Sequence, residues 1–371
     1  MSSDSIGAGD EGTPVFGLTK EQLWPIVEEA AGEAVASFEM CMEHQPPEPY
    51  GAAGEKEIPT FDYVAEDGHA GRVTVFVKRY NRTGPAEARQ YRCLLDHGAP
   101  MPRLYGVLVD SEGRETLFLE HVDASREARS TFQPDGLRDH LALMARFQAI
   151  QPSPEFTAWL EQRGPFADRL VEGELALERI WEHSRNGELG EDLKDFCSSS
   201  KRVLRQLQSL ARQVTQRSSQ MPRGLLHTDF SPENTGRRET GERLVMDVEH
   251  ITFGPRFFDP AEMLGVPSER WYRKLSRNDL ARHYLDEYAR WGGTPAPLDV
   301  FLKDMGILWL ASILRYMDLN LNRCFGRMWG TTPTGEDDRQ ICRTHIYMML
   351  NMFLAQYLMR GTRCSVLERC H

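Results

Sequence analysis

The first third of the chain shows a residue pattern with a period of two, which is typical of β-strands. In the segment 72–80, Val73, Val75 and Val77 occupy one face of the predicted strand, and Lys78 lies on the opposite face. Turn residues separate such segments at short intervals, so we predict β-hairpins. The predicted strands are 34–42, 59–65 paired with 72–80, and 102–110 paired with 114–122.

After residue 123, apolar residues recur every three or four positions, which is the period of an α-helix. Leu137, Leu141, Met144 and Phe147 share one face of the first such helix. Further helical patterns occupy 152–221, 268–292, 298–329 and 337–360. The pattern therefore predicts an α+β fold, with a small N-terminal lobe built on a β-sheet (17–123) and a larger, mainly helical C-terminal lobe (124–371).

The segment before the first strand carries local signals. Residues 1–16 are rich in Ser, Gly and Asp, and we expect a disordered tail there. Thr19, with Gln22 three positions later, has the pattern of a capping box and predicts the start of a helix. Pro25 inside that helix predicts a break or a kink.

Composition and charge narrow the classes of protein. The 371 residues are 40% hydrophobic and 27% charged, which is ordinary for a globular protein with a sizeable core. The formal net charge of −11 argues against nucleic acid as a partner and permits a cationic substrate. The acidic residues expected near a substrate pocket are Asp304, Asp318, Glu336, Asp337 and Asp338.

Cysteine usage and hydropathy indicate a cytoplasmic protein. The seven cysteines contain no C-x-x-C pair, so neither a disulfide framework nor a zinc site is indicated. The N-terminus lacks the basic and apolar regions of a secretory signal. The most apolar runs, 305–314 and 346–359, are too short or too interrupted to span a bilayer, and we expect no membrane contact.

Four polar residues, His227, Asp229, Asn234 and Asp247, stand at fixed offsets in a segment that we predict as strand, loop and strand. The first three satisfy the H-x-D-x-x-x-x-N pattern of kinase catalytic loops, and Asp247 ends an apolar run thirteen positions after Asn234. Phosphoryl transfer needs a carboxylate to accept the proton of the acceptor hydroxyl, and hard oxygen ligands to hold Mg²⁺ against the nucleotide phosphates. These residue types supply both.

This segment resembles the aminoglycoside phosphotransferase and choline kinase family, in which the same pattern precedes an apolar strand that ends in Asp, often as D-x-E. Here the strand ends in Asp247-Val248-Glu249. The resemblance implies a protein-kinase-like bilobal fold, ATP or GTP and Mg²⁺ as cofactors, and a small molecule as acceptor. Glu249 would lie near the metal or face the acceptor.

The resemblance also implies a role for each polar residue of the segment. Asp229 would be the catalytic base, and Asn234 and Asp247 would bind the nucleotide by ligating Mg²⁺. His227 would anchor the loop through hydrogen bonds. Asp259, after the metal strand, would hold the catalytic loop in place and belong to the scaffold.

In the N-terminal lobe, Lys78 occupies the position of the phosphate-binding lysine of kinases. The family resemblance pairs it with Glu87, at the start of the following helix. The alternatives are an edge-strand lysine that prevents aggregation and an exposed first-turn glutamate favoured by the helix dipole. Glu120 and Val122 resemble the hinge between lobes, where backbone groups would bind the adenine and side-chain identity would matter little.

Several features leave alternatives open. The glycines of the segment 51–54 would cover the nucleotide phosphates or belong to a surface loop. At the end of the helix that begins the C-terminal lobe, the family commonly has Leu-His where this chain has Arg146-Phe147, a departure that we interpret as structural. Aromatic residues of the C-terminal helices would form core or a cage for a quaternary ammonium group: Trp291, Trp309, Tyr316 and Trp329.

The sequence therefore predicts a kinase that transfers a phosphoryl group from ATP or GTP to a hydroxyl of a small molecule, an antibiotic or a related amine-bearing metabolite, as a monomer or a homodimer. One alternative is a metabolic kinase acting on choline, homoserine or a sugar. Another is a pseudokinase that binds nucleotide and regulates a partner. The complete polar set of Lys78, Asp229, Asn234 and Asp247 favours the enzymes.

Overall fold

The computed structural model describes residues 15–44, 55–80, 87–122, 133–164, 166–191, 194–195, 201–264, 275–325 and 336–362. The chain divides into two compact units, one of residues 1–95 and 101–123, the other of residues 96–100 and 124–371. The predicted tail at 1–16 lies almost wholly outside the described residues. The predicted boundaries of the two lobes stay a prediction.

A five-stranded antiparallel sheet forms the first unit, as the period of two predicts. Its strands are β1 (Val35–His44), β2 (Glu55–Ala65), β3 (Ala70–Arg79), β4 (Leu104–Val109) and β5 (Glu115–Glu120). Their order across the sheet is β1-β2-β3-β5-β4. Strand β3 is therefore interior, because β2 pairs with one side of it and β5 with the other. The predicted second strand began at residue 59, whereas β2 begins at Glu55.

One helix packs on this sheet and closes its core. Helix α1 (Lys20–Ala31) begins at Thr19 with the predicted capping box. Its apolar face buries Leu23, Ile26 and Val27 against the sheet. The helix continues through Pro25, so the predicted break does not occur, whereas the alternative of a kink stays a prediction. Proline removes one backbone donor, and burial of this apolar face offsets that loss.

Helix α2 (Glu87–Asp96) follows β3 along the chain and contributes buried residues to the same unit. Its first residue, Glu87, is buried, although it occupies the first turn of the helix. The alternative of an exposed first-turn glutamate is therefore wrong. The hairpin of β4 and β5 follows, close to the predicted positions.

The second unit is mainly helical, as the period of 3.6 predicts. Its helices among the described residues are α3 (Pro134–Gln148), α4 (Pro154–Arg163), α5 (Phe166–Arg185), α6 (Lys201–Ser219), α7 (Phe258–Leu264), α8 (Arg277–Arg290), α9 (Leu298–Cys324) and α10 (Glu336–Thr362). Helix α9 is the central one, since α5, α6, α7 and α10 all pack against it.

A close crossing of α5 and α9 depends on one glycine. A β-carbon at Gly173 would lie 3.0 Å from the backbone carbonyl carbon of Leu314. A side chain at this position would force the two helices apart by a few tenths of an ångström. The crossing aligns the first turns of α5 with the middle of α9.

Two short antiparallel ribbons interrupt the helices between α6 and α7. Strand β6 (Arg223–Leu226) pairs with β9 (Thr252–Pro255), and β7 (Thr235–Arg237) pairs with β8 (Arg243–Val245). The segment between β6 and β7 contains the H-x-D-x-x-x-x-N pattern.

The four residues that shared one predicted face of α3 are all buried: Leu137, Leu141, Met144 and Phe147.

The remaining sequence-based expectations concern membranes and cysteines. Within the described ranges, no helix is both long and apolar enough to cross a membrane. Among the cysteines, Cys41 and Cys93 are partly buried, and Cys324 and Cys342 are buried.

Candidate active site

The catalytic-loop pattern lies between two paired ribbons of the helical unit. His227 directly follows β6, and a short 3₁₀ turn (Pro232–Asn234) carries Asn234 into β7. Thr228 has a positive φ of 66°, which is rare for a β-branched residue. The loop therefore has a strained backbone that its surroundings must hold in place.

Asp259 supplies that support from the start of α7. Its Oδ2 accepts a hydrogen bond from the His227 backbone N–H at 2.8 Å, and its Oδ1 accepts one from the Thr228 N–H at 2.9 Å. The side-chain Nε2 of Gln148 donates to the same Oδ2 at 3.0 Å. Burial raises the pKa of the Asp259 carboxyl. The contacts confirm the predicted scaffold role of Asp259.

His227 links the loop to the strand that precedes Asp247. Its Nε2 lies 2.8 Å from the carbonyl oxygen of Met246. Since a carbonyl only accepts, Nε2 carries the proton. The Met246 N–H donates in turn to the carbonyl oxygen of Asn234 at 2.8 Å. These contacts confirm the predicted anchoring role of His227. They connect the loop that contains Asp229 and Asn234 to the segment that precedes Asp247.

Asp229 and Asn234 form a direct pair. The Asn234 Nδ2 donates to the Asp229 backbone oxygen at 2.9 Å and to its carboxylate Oδ2 at 3.0 Å. Both bonds of the side chain come from Nδ2, so the amide presents Oδ1 as its remaining polar atom. The structure therefore brings Asp229 and Asn234 together, as the kinase pattern predicts.

Asp247 lies two positions after β8 in a left-handed conformation, with φ 54° and ψ 61°. Aspartate and asparagine tolerate this region better than most residues, but it is still unusual. Asp247 is directly bonded to Met246, which contacts both His227 and Asn234. A metal-ligating role for Asp247 stays a prediction.

Arg315 and Glu262, which sequence reasoning did not identify, also support the loop. Arg315 of α9 donates from Nη1 to the Thr228 carbonyl oxygen at 2.8 Å and lies 3.3 Å from Oε1 of Glu262. Ser312 donates to the same Glu262 oxygen at 2.7 Å. Burial raises the pKa of the Glu262 carboxyl to about 7, although Arg315 opposes this shift. No local sequence pattern indicates this contact, because it joins residues 87 positions apart.

His140 of α3 is a third support that the sequence did not indicate. It is fully buried, and its Nε2 lies 3.3 Å from the carbonyl oxygen of Phe230, one position after Asp229. Burial lowers the pKa of His140 to about 4, so the ring is neutral near pH 7. Phe147 packs edge-on against His227 and Phe230.

In the sheet unit, Lys78 and Glu87 form the predicted ion pair. The Nζ of Lys78 lies 2.8 Å from Oε2 of Glu87, and the side chains are 4% and 1% exposed. Because β3 is interior and Lys78 is buried, the alternative of an edge-strand lysine is wrong. Whether this pair binds nucleotide stays a prediction.

The hinge residues lie at the end of β5. The Glu120 backbone N–H donates to the Arg103 carbonyl oxygen at 2.9 Å, and its carboxylate accepts from the Arg103 N–H at 3.0 Å. The Glu120 side chain therefore also helps to hold the start of the neighbouring strand β4. Val122 follows the strand and is partly buried. Adenine binding by Glu120 and Val122 stays a prediction.

The remaining predicted site features are the glycine segment, the aromatic residues and the acidic residues near the acceptor. The glycine segment 51–54 and Trp329 lie outside the described residues. Trp309 is buried, whereas Trp291 is 48% exposed and stacks on Arg146. Asp318, expected near a cationic substrate, is paired with Arg179 and accepts from Asn322 at 3.0 Å. Its charge is therefore already neutralised within the protein.

Comparisons with solved structures show the same fold at low identity. The spectinomycin phosphotransferase, in complex with ADP and spectinomycin, aligns with a TM-score of 0.55 and 11% identity, over 92% of this chain and 99% of that chain. A putative aminoglycoside phosphotransferase from Ralstonia eutropha gives 0.53 and 17%, over 89% and 96%. The ethanolamine kinase of Plasmodium vivax gives 0.52 and 13%, over 86% and 83%. A comparison with curated protein sequences found no match.

A family model described as "Phosphotransferase enzyme family" matches residues 61–298, which is more than half of the chain. The matched range includes Lys78, Glu87 and the whole catalytic-loop segment. The predicted α+β architecture, with an antiparallel sheet in one unit and helices in the other, is that of this family. The chain therefore belongs to the phosphotransferase enzyme family and has its protein-kinase-like fold.

Proposed function

We propose that this chain is an ATP- and Mg²⁺-dependent phosphotransferase that transfers a phosphoryl group to a hydroxyl of a small molecule. The observation that carries the proposal is the Asp229–Asn234 pair, with Asn234 connected through Met246 to Asp247. This arrangement supplies one carboxylate for the acceptor and two oxygen donors for a cation. GTP presents the same phosphates and would serve equally as donor.

The donor atoms of the loop fit a magnesium ion. Mg²⁺ prefers carboxylate and carbonyl oxygens. Asn234 offers Oδ1, since its Nδ2 makes both side-chain hydrogen bonds, and Asp247 offers a carboxylate. When bound, Mg²⁺ would neutralise charge on the nucleotide phosphates.

The protein residues have the remaining roles in binding and catalysis. Asp229 orients the acceptor hydroxyl and accepts its proton, which contributes about 10²–10⁴-fold to the rate. The Asn234 amide holds the Asp229 carboxylate through its Oδ2. Lys78, held by Glu87 at 2.8 Å, contacts the nucleotide phosphates. Backbone groups of Glu120 and Val122 bind the base.

The net charge of the chain bears on the class of acceptor. The net charge of −11 favours an antibiotic or another amine-bearing compound. The pairing of Asp318 with Arg179 removes one of the carboxylates on which that expectation depended. A metabolic acceptor such as choline, homoserine or a sugar is the alternative within the same chemistry. A pseudokinase, which binds nucleotide but does not catalyse phosphoryl transfer, is the second alternative.

The experiment is an acceptor screen with ATP and Mg²⁺, in which ADP release is measured and the product is identified by mass spectrometry. The wild type should give a phosphorylated product whose mass exceeds that of the acceptor by one phosphoryl group. Asp229→Asn should lower kcat by at least about two orders of magnitude while the chain still binds MgATP. Glu233→Gln, an exposed acid in the same loop, is the matched control. Near-normal turnover of Asp229→Asn would contradict the assigned base, and nucleotide binding without any turnover would favour the pseudokinase.

A further inference from the structure

Two arginines from different helices approach Thr228, the residue before Asp229. Arg315 of α9 donates to the Thr228 carbonyl oxygen at 2.8 Å. Arg169, in the first turn of α5, has its Nη1 at 3.5 Å from the Thr228 hydroxyl oxygen. The close crossing at Gly173 and Leu314 explains why these two guanidinium groups reach the same point, since each arginine lies within about one turn of a crossing residue.

Their charges are not equally neutralised. Arg315 has the Glu262 carboxylate at 3.3 Å. Arg169 has no carboxylate within 4.0 Å among the residues of the chain that the structure describes. Burial and, to a smaller extent, the neighbouring Arg315 lower the pKa of Arg169 to about 10, and the opposing effect of Glu172 is smaller. Arg169 is therefore a partly buried cation with a second cation beside it.

The position of Arg169 on its helix is also unfavourable. The N-terminus of a helix carries a partial positive charge, and a cation in the first turn is repelled by it. A partly desolvated arginine in such a place weakens the folded state unless an anion binds there. Residues that break local rules in this way are concentrated at functional sites.

We propose that Arg169, with Arg315 beside it, binds an anionic group of the acceptor, a carboxylate or a phosphate, next to Asp229. This inference rests on the proposed function and narrows its substrate class to hydroxy compounds with a negative group. A zwitterionic acceptor would satisfy both this site and the amine expected from the net charge. The same chemistry would also suit the phosphoryl group in transit, and the experiment separates these two sources.

The probe is malonate, titrated calorimetrically into the full chain alone, with MgADP, and with a non-hydrolysable MgATP analogue. Wild type should bind malonate in all three conditions. Arg169→Gln should weaken binding by about tenfold or more, because a charge-assisted contact is lost. Arg169→Lys should bind with intermediate affinity, and Arg282→Gln, which removes an exposed arginine paired with Asp279, should bind as wild type.

Thermal unfolding gives a second readout that separates ligand binding from a structural role. Removing an unneutralised cation should leave the Tm of Arg169→Gln equal to or above that of wild type. A lower Tm together with unchanged malonate affinity would assign Arg169 to the scaffold and overturn the proposal.

The remaining outcomes are equally distinct. Failure of wild type to bind malonate, or equal binding by Arg169→Gln, would overturn the anion site. Binding that occurs with MgADP but is lost with the MgATP analogue would place the anion at the position of the transferred phosphoryl group, and would overturn the acceptor assignment. Absence of nucleotide binding in a separate titration would contradict the proposed function, while the malonate titration of the nucleotide-free chain would still test the anion site.

Discussion

The carboxylate of Asp259 accepts the backbone N–H of Thr228 at 2.9 Å across 31 positions of sequence. This contact holds a threonine whose φ is 66°, a conformation that costs of order 1–3 kcal/mol for a residue with a β-branched side chain. Because Asp229 follows Thr228 directly, the start of α7 determines where the candidate catalytic base lies. The catalytic loop is thus strained locally and stabilised from a distance.

Asp259→Ala should lower the free energy of unfolding by about 3 kcal/mol, because the two backbone donors of His227 and Thr228 lose their buried acceptor. The Gln148 amide loses the same partner. Urea denaturation of wild type and variant measures the difference. Asp279→Ala, which removes an exposed carboxylate paired with Arg282, is the control and should change stability little. An unfolding free energy unchanged by Asp259→Ala would show that other groups fix the loop.

Much of the fold could be predicted because its signals are local. The alternation of Val73, Val75 and Val77 depends on the geometry of a single strand, and the capping box at Thr19 depends on neighbouring residues. The Asp229–Asn234 contact spans only five positions, so a fixed spacing in the sequence is enough to indicate it. Patterns of this kind carry their structural information within one element.

The rest depends on contacts between elements, which a single sequence does not specify. Arg169, Arg315 and His140 occur in ordinary helical patterns, and only the packing of α3, α5 and α9 brings them to the catalytic loop. The interior place of β3 also follows from strand order rather than from its residues. The break expected at Pro25 does not occur, because tertiary burial outweighs a local preference.

Asp247→Asn should abolish most of the Mg²⁺-dependent affinity for ATP, because the carboxylate charge that holds the cation is lost. Asparagine is chosen because it tolerates the left-handed backbone of this residue, so the fold is retained. Calorimetry with and without Mg²⁺ separates the affinity for ATP alone from the affinity that the cation adds. The control is the titration without Mg²⁺, which should give similar weak affinities for both proteins. Unchanged MgATP affinity in Asp247→Asn would contradict a metal-ligating role.

Lys78→Met should both destabilise the sheet unit and weaken nucleotide binding, because Lys78 is buried with Glu87 at 2.8 Å. Removing one partner of a buried ion pair typically costs about 3–5 kcal/mol. The double variant Lys78→Met/Glu87→Gln should recover much of the stability, since neither charge is then left buried. It should not recover the KM for MgATP, because the phosphate-binding cation is still absent.

This comparison separates the structural from the functional role of the lysine. Chemical denaturation and steady-state kinetics would be measured on the single and double variants. A double variant with wild-type KM would show that Lys78 serves the sheet alone. Lys56→Met, on the neighbouring strand β2 directly opposite Lys78 in the register, is a matched control for the loss of one lysine.

His140 makes the stability of the protein depend on pH in a definite direction. Its pKa lies near 4 in the folded chain and near 6.5 in the unfolded chain, because burial disfavours the charged ring. As the pH falls below about 6.5, the unfolded chain therefore takes up the proton first. The stability contributed by the neutral ring is fully present above pH 6.5 and is lost as the pH falls towards 4.

His140→Gln should reduce this loss, because glutamine can donate to the Phe230 carbonyl oxygen without titrating. At 1.36 kcal/mol per pKa unit, the wild type should lose at most about 3 kcal/mol more than the variant between pH 7 and pH 4. Glu262, whose pKa is raised to about 7, acts in the opposite direction over the upper part of this range, but it is present in both proteins and cancels in the difference. Urea denaturation at several pH values measures that difference, with His69→Gln in the exposed turn between β2 and β3 as the control. Parallel pH profiles for wild type and His140→Gln would mean that the buried ring does not determine the acid sensitivity of the catalytic loop.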